Sequence, residues 1–359
     1  MRALTVQPGR RASLRLEDVA DPRPTAGELL VRGVAVGVCG TDREIAAGHY
    51  GWAPAGRDRL VLGHESLGRV EQAPPGSGFA PGDLVAGVVR RPDPEPCPAC
   101  AHDEWDMCRN GGYTERGIKE LDGYASDWWA LDPQYAVTVP AELGLCGVLT
   151  EPTSVVAKAW EQVDRIGARA WFEPRTALVT GAGPIGLLAA MVARQRGLDV
   201  HVLDRVTQGP KPQLVEELGA TYHHSDIATV AGRARPDVVI EATGAGRLVF
   251  EAMDVTGPYG IVCLTGVSSG GRELPVDAGG LNRRLVLEND AVVGSVNANL
   301  RHYRAAVDAL AAADRDWLRA LITTTVPLDE APAVVEGGSG RDVKAVVLLD
   351  EHADGGGDR

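Results

Sequence analysis

Residues 176–186 read T-A-L-V-T-G-A-G-P-I-G. A short apolar strand runs into a glycine turn, and the turn opens the apolar helical stretch I-G-L-L-A-A-M-V-A-R-Q-R at 185–196. Gly181, Gly183 and Gly186 carry the G-x-G-x-x-G spacing. That spacing is weak evidence alone, but strand before and helix after are the context that gives it meaning. Gly181 permits a tight turn, Gly183 lets backbone approach a pyrophosphate, and Gly186 allows close helix–strand packing. The helix N-terminus adds amide donors and a dipole that favours phosphate. Pro184 and Ile185, inside the turn, belong to the same expected cofactor site. Asp204 ends the next strand, V-H-V-L-D at 200–204, where an acid can accept from ribose hydroxyls. A ligand-free α/β turn is the bland alternative, and motif, context and acid together outweigh it.

Outward from this turn the chain alternates. V-V-A-K-A-W-E-Q-V-D-R-I (155–166) has helical spacing; Q-L-V-E-E-L (213–218), D-V-V-I-E-A (237–242) and I-V-C-L-T-G (261–266) continue the β/α rhythm. Such alternation predicts a parallel, doubly wound sheet. The first 150 residues have another texture. E-L-L-V-R-G-V-A-V-G-V-C (28–39), L-G-R-V-E-Q (67–72) and D-L-V-A-G-V-V (83–89) are strands punctuated by Pro and Gly, as in barrels. R-H-Y-R-A-A-V-D-A-L (301–310) reads as a helix, and K-A-V-V-L-L (344–349) as a late strand returning to the first domain. The tail at 351–359 reads as disordered.

At 359 residues two domains are expected. The formal net charge of −13 argues against a general nucleic-acid or anionic-membrane surface. The N-terminus M-R-A-L-T-V-Q-P-G-R lacks an apolar signal region, and the apolar runs are strand length. Six cysteines in so long a chain suggest thiols or metal ligands rather than a disulfide framework. A cytoplasmic protein is expected.

Two constellations carry metal chemistry. Cys39 in V-C-G-T-D (38–42), His64 and Glu65 in V-L-G-H-E-S-L-G (61–68), and Glu151 form a donor set that zinc accepts. Their distance in sequence leaves a buried thiol, a satisfied histidine and two surface acids as an equal reading. Cys97, Cys100 and Cys108, spaced C-x2-C-x7-C in a Pro- and Asp-rich loop, suit a metal-stapled lobe. Its fourth ligand is open among Asp93, His102 and Asp103, and a reduced loop with spare thiols is the alternative.

Over nearly its whole length the chain resembles the zinc-dependent medium-chain dehydrogenase/reductases. V-C-G-T-D, G-H-E, the cysteine loop, E-P at 151–152 and G-A-G-P-I-G carry the likeness. It is most similar to their glucose (aldose) 1-dehydrogenase branch, through C-G-T-D-R-E-I (39–45), V-L-G-H-E-S-L-G, V-V-R-R-P (88–92), E-R-G-I (115–118) and V-G-S-V-N (293–297). The resemblance implies a GroES-like β-barrel catalytic domain, 1–154 with 299–359, and a Rossmann cofactor domain, 155–298. It implies catalytic zinc on Cys39, His64 and Glu65, with Glu151 as the fourth group, direct or through water, and beside the substrate. Thr41 resembles the hydroxyl that passes on the substrate proton. Glu115 and Asn297 resemble sugar-hydroxyl contacts, Asn297 also lying near the nicotinamide. The family lobe commonly has four cysteines; here the first falls at Pro94, so either Asp93 substitutes or the site is lost.

The implied reaction moves hydride from C1 of an aldose to a nicotinamide cofactor and yields the lactone. A polyol, cyclitol or other secondary-alcohol dehydrogenase is the alternative on the same scaffold. A catalytically silent dinucleotide-binding protein is the reading from another class. Asp204 predicts NAD over NADP, because a 2′-phosphate would meet its carboxylate; Arg205 and Lys211 leave NADP open. The partners expected are a sugar or polyol substrate, no nucleic acid or membrane, and other copies of the chain in a dimer or tetramer.

Overall fold

The computed structural model describes residues 1–268, 270, 273–337 and 342–350; the tail at 351–359 lies outside the described residues. The chain forms two compact units, Val155–Val296, and Met1–Ser154 with Asn297–Arg359.

The Val155–Val296 unit holds six parallel strands: β1 (Thr176–Thr180), β2 (Asp199–Leu203), β3 (Thr221–His223), β4 (Val238–Glu241), β5 (Ile261–Leu264) and β6 (Ala291–Gly294). Their order is β3-β2-β1-β4-β5-β6, so the chain reverses direction across the sheet between β1 and β4. Ligands of such sheets bind beyond the strand C-termini at that reversal. The inner strands read as continuous apolar runs because helices cover both faces. Leu178, Val239 and Val262 pack with Leu203, Ile227 and Val230 in one buried cluster; Leu178→Ala there would cost about 2–5 kcal/mol. The helix Pro184–Gln195 buries seven residues, from Gly186 to Ala193.

In the other unit the strand Leu29–Val38 is the organising element. It pairs antiparallel with Glu65–Gln72, Trp128–Leu131 and Lys344–Leu348 in a seven-stranded sheet. Ala345 stands opposite Val38 and Gly37 opposite Glu65. Three strands therefore deliver Cys39, Glu65 and Lys344 to one end of the sheet.

Three elements differ from the sequence reading. β3 has only three residues, too few for a period to show, and β6, though as long as β4 and β5, is only partly buried. The helix expected from residue 155 starts at Thr150, since a proline (Pro152) is tolerated in a first turn. Glu151 thus sits on the helix. Among the described residues no helix is long and apolar enough to cross a membrane.

Candidate active site

The helix Gly40–Ala46 begins on Cys39, whose sulfur accepts from the Thr41 amide at 3.2 Å. Asp42 closes the capping box by accepting from the Cys39 amide at 2.9 Å. The other Asp42 oxygen lies 3.3 Å from His64 Nδ1. This leaves His64 Nε2 facing the Cys39 sulfur at 3.0 Å. Donor atoms of Cys39, His64 and Glu65 all lie within 4.8 Å of one another. His64, Glu65 and Asp42 are each at most 5% exposed.

Burying that much charge is costly unless it is paired or metal-bound. Part of the answer is Lys344, 1% exposed, which pairs with Glu65 and donates to the Val38 carbonyl at 3.2 Å. Burial works against the His64 cation, but the Cys39 and Asp42 charges carry its pKa well above the ordinary value. Asp42 is buried too, and His64 nevertheless holds it below the usual range. A thiol, an imidazole oriented from behind by a carboxylate, and a glutamate suit zinc in both donor type and arrangement. Glu151 is not within that cluster; burial, reinforced by the charge of Glu65, pushes its carboxyl up to about 7. The Thr41 side-chain oxygen has no partner among the described residues.

Glu115 and Asn297, far apart in sequence, meet. Glu115 is 5% exposed. Its Oε1 accepts from Asn297 Nδ2 at 2.5 Å and from Arg90 Nε and Nη2 at 3.1 and 2.9 Å. Among the described residues no hydrogen bond reaches Oε2. Arg90 is itself fixed by the Asp106 carbonyl at 3.0 Å and stacks on Tyr113. Asn297 adopts φ +64°, a left-handed conformation that asparagine tolerates better than most residues.

The cysteine lobe brings Cys97, Cys100 and Cys108 within 4.8 Å of one another. Asp93 Oδ2 lies 3.8 Å from the Cys108 sulfur and accepts from the Gly112 amide at 3.0 Å. A Cβ on Gly112 would press on that carboxylate at 2.6 Å. The Arg109 amide lowers the Cys97 thiol to about 6. Of the three candidates for a fourth ligand, Asp93 is the one held against the thiols; His102 Nδ1 contacts the Pro98 carbonyl instead.

In the six-stranded unit Gly181 takes φ +96° and donates to the Leu203 carbonyl at 2.7 Å. A Cβ on Gly186 would strike the Gly181 carbonyl, whereas nothing stands within 4 Å of one on Gly183. The turn is therefore closed on its inner side and open where a pyrophosphate would approach. Pro184 and Ile185 follow as the first helical residues. Asp204 departs from expectation. Its carboxylate is already engaged by the Ala182 amide at 2.8 Å, the Val206 amide at 3.2 Å and Lys211 Nζ at 3.2 Å. Arg205 beside it is exposed.

Sequence reasoning missed Asp42, Arg90 and Lys344 as supports. Arg90 lay within the quoted V-V-R-R-P. Lys344 is one of only four lysines and opens an apolar strand, which was the available signal.

Fold and site together define an alcohol dehydrogenase-like oxidoreductase. The model of the alcohol dehydrogenase GroES-like domain matches residues 25–141, and that of the glucose dehydrogenase C-terminus matches 144–349. The glucose 1-dehydrogenase of Methanocella arvoryzae is 41% identical over 358 residues, 97% of this chain and 99% of that one. The Haloferax mediterranei glucose dehydrogenase in complex with NADP, Zn and gluconolactone superposes with a TM-score of 0.89 at 33% identity, covering 98% of this chain and 99% of that one. A Sinorhizobium meliloti dehydrogenase bound to NADP gives 0.81 at 27% identity, covering 97% and 98%. The chain belongs to the zinc-dependent medium-chain dehydrogenase/reductases, in their glucose 1-dehydrogenase branch.

Proposed function

We propose that the chain is a zinc-dependent aldose 1-dehydrogenase that oxidises glucose or a close relative at C1 to the lactone, with a nicotinamide dinucleotide as hydride acceptor. The observation that carries this is the meeting of Cys39, His64 and Glu65 in the unit where Glu115 and Asn297 also converge. Zinc held by Cys39, His64 and Glu65, with Glu151 as the further group, would polarise the C1 hydroxyl and lower its pKa. Asp42 keeps His64 in the orientation that ligation needs. Thr41, with its hydroxyl unengaged, takes the C1 hydroxyl proton and passes it to solvent. Glu115 and Asn297 orient the sugar through its hydroxyls, a discrimination that analogues lacking them do not survive. A bound nicotinamide dinucleotide would accept the hydride from C1, and Gly181, Gly183, Pro184, Ile185 and Gly186 would hold its pyrophosphate.

The expected preference for NAD gives way to NADP as the proposed working cofactor. Similar structures hold NADP. In this chain the Asp204 charge is answered by Lys211 and two amides, and Arg205 is free to swing toward a 2′-phosphate. The cysteine lobe, with Asp93, is proposed as a structural zinc site. Free thiols at all six cysteines fit a reducing, cytoplasmic compartment. Self-association into a dimer or tetramer is supported by the edge strand β6 and by the helix Ala278–Glu288, which buries no residue and exposes Val286 and Leu287.

The test is turnover of the zinc-loaded protein on aldoses, sugar alcohols and secondary alcohols with either cofactor, reading reduced dinucleotide and lactone. Lactone from glucose or galactose is expected. Turnover confined to sugar alcohols or secondary alcohols would overturn the aldose reading, and no turnover at all would favour a silent dinucleotide-binding protein.

A further inference from the structure

Tyr50 and Trp52 are aromatic side chains left 42% and 45% exposed, with ring centroids 5.1 Å apart in an edge-to-face arrangement. Paired exposed rings of this size mark a surface meant to be covered. They sit on the segment that leaves the Cys39 helix. At its far end Trp52 donates to the Ile118 carbonyl and accepts from the Glu120 amide, both at 2.9 Å. Residues 115–119 form a tight turn, in which the Glu115 carbonyl accepts from the Ile118 and Lys119 amides at 3.1 and 2.9 Å. Trp52 is thus stitched to the turn that carries Glu115. Burial, and after it the charge of Glu115, raises the Tyr50 phenol above its ordinary value, so this side chain lies in the field of that carboxylate. Arg90 and Lys119 flank Tyr113 in the same corner, at 3.7 and 4.3 Å from its ring centre.

We propose that Tyr50 and Trp52 form an aromatic wall of the sugar site, against which the C–H face of an aldopyranose stacks while Glu115 holds its hydroxyls. The inference rests on the aldose reading and deepens it. A pyranose is amphipathic: hydroxyls ring its edge, and axial C–H groups make each face apolar. Glu115 meets the edge with an Oε2 that takes no hydrogen bond among the described residues. The exposed rings supply what a face needs, apolar area with a π-cloud that attracts polarised C–H groups. Glucose in its all-equatorial form offers clean faces, whereas the axial C4 hydroxyl of galactose interrupts one of them. The wall therefore selects among epimers, a choice that hydroxyl contacts at Glu115 alone do not make.

The experiment uses zinc-loaded, full-length Trp52→Ala, Tyr50→Ala and Trp52→Phe. Removing either ring should raise KM for glucose about tenfold while kcat falls far less, and Trp52→Phe should recover most of the loss. KM for the dinucleotide should stay at the parent value, and the preference for glucose over galactose should shrink. Both rings are exposed, so folding should be intact, and thermal unfolding checks this. Unchanged glucose KM in both alanine variants, or an unchanged epimer ratio, would overturn the wall. A parent enzyme that oxidises no aldose would instead overturn the aldose reading itself.

Discussion

Gly37 stands directly opposite Glu65 across two antiparallel strands, and a Cβ at Gly37 would collide with the Glu65 carboxylate and crowd Lys344. The glycine is therefore a hole that the carboxylate of a candidate metal ligand fills. Gly37→Ala should displace Glu65, lower zinc at the Cys39 site and cut kcat/KM by about tenfold or more, the range seen when supports of metal ligands are disturbed. Metal content of the purified variant decides it: zinc at the parent level with parent turnover would show that Glu65 tolerates the shift.

Lys344 and Glu65 form a buried pair, and removing one partner leaves the other charged and alone at a cost of about 3–5 kcal/mol. Zinc on Glu65 would take over part of the lysine's role. Lys344→Met should therefore lower the melting temperature of chelator-treated protein more than that of zinc-loaded protein. Equal losses in both forms would separate Lys344 from the metal.

Arg90 places two hydrogen bonds on the Glu115 oxygen that Asn297 also uses. Hydrogen bonds to charged groups are worth roughly 1.5–3 kcal/mol. Glu115→Ala should accordingly lower kcat/KM for glucose at least about tenfold, with dinucleotide affinity unchanged. Arg90→Leu should do the same by misplacing the carboxylate, and the double variant should lose little more than either single one. Additive losses would mean that Arg90 acts elsewhere.

Asp204 and Lys211 form an ion pair beside the glycine turn. Lys211→Met should free the carboxylate charge and weaken NADP more than NAD, whereas Asp204→Asn should move the ratio toward NADP. Steady-state KM for both dinucleotides measures this. Parallel changes in the two cofactors would place the 2′-phosphate out of reach of this pair.

If the cysteine lobe holds zinc as proposed, Asp93→Ala should abolish zinc binding there and leave any zinc at the Cys39 site. Zinc analysis combined with activity distinguishes the two. Retention of all zinc would make Asp93 a loop tether through its bonds to Gly112 and Glu95.

The doubly wound sheet was legible because β1, β2, β4 and β5 are largely buried apolar runs separated by helices, whereas β3 has only three residues and β6, as long as β4 and β5, is only partly buried. Donor types at Cys39, His64 and Glu65 were visible, but their convergence required the resemblance, since the register between the strands Leu29–Val38 and Glu65–Gln72 decides it. Lys344 and Arg90 escaped notice because each meets its partner only through tertiary pairing. The Asp204 carboxylate was placed at the end of the right strand, one residue past it in the structure, but its direction depends on the Ala182 amide, a contact that residue types do not encode.

The seven-residue helix Gly40–Ala46 begins on Cys39, and four residues past its end comes Tyr50. At 1.5 Å per residue it is a strut of about 10 Å, anchored at one end by a candidate metal ligand. A rigid strut transmits position. An ion drawn onto Cys39 would fix the origin from which the aromatic loop is measured, so metal occupancy and sugar fit become a single mechanical adjustment. Chain length in this short element is then a calibration: one residue inserted between Ala46 and Tyr50 would detune the sugar site while leaving every ligand and every hydroxyl contact in place.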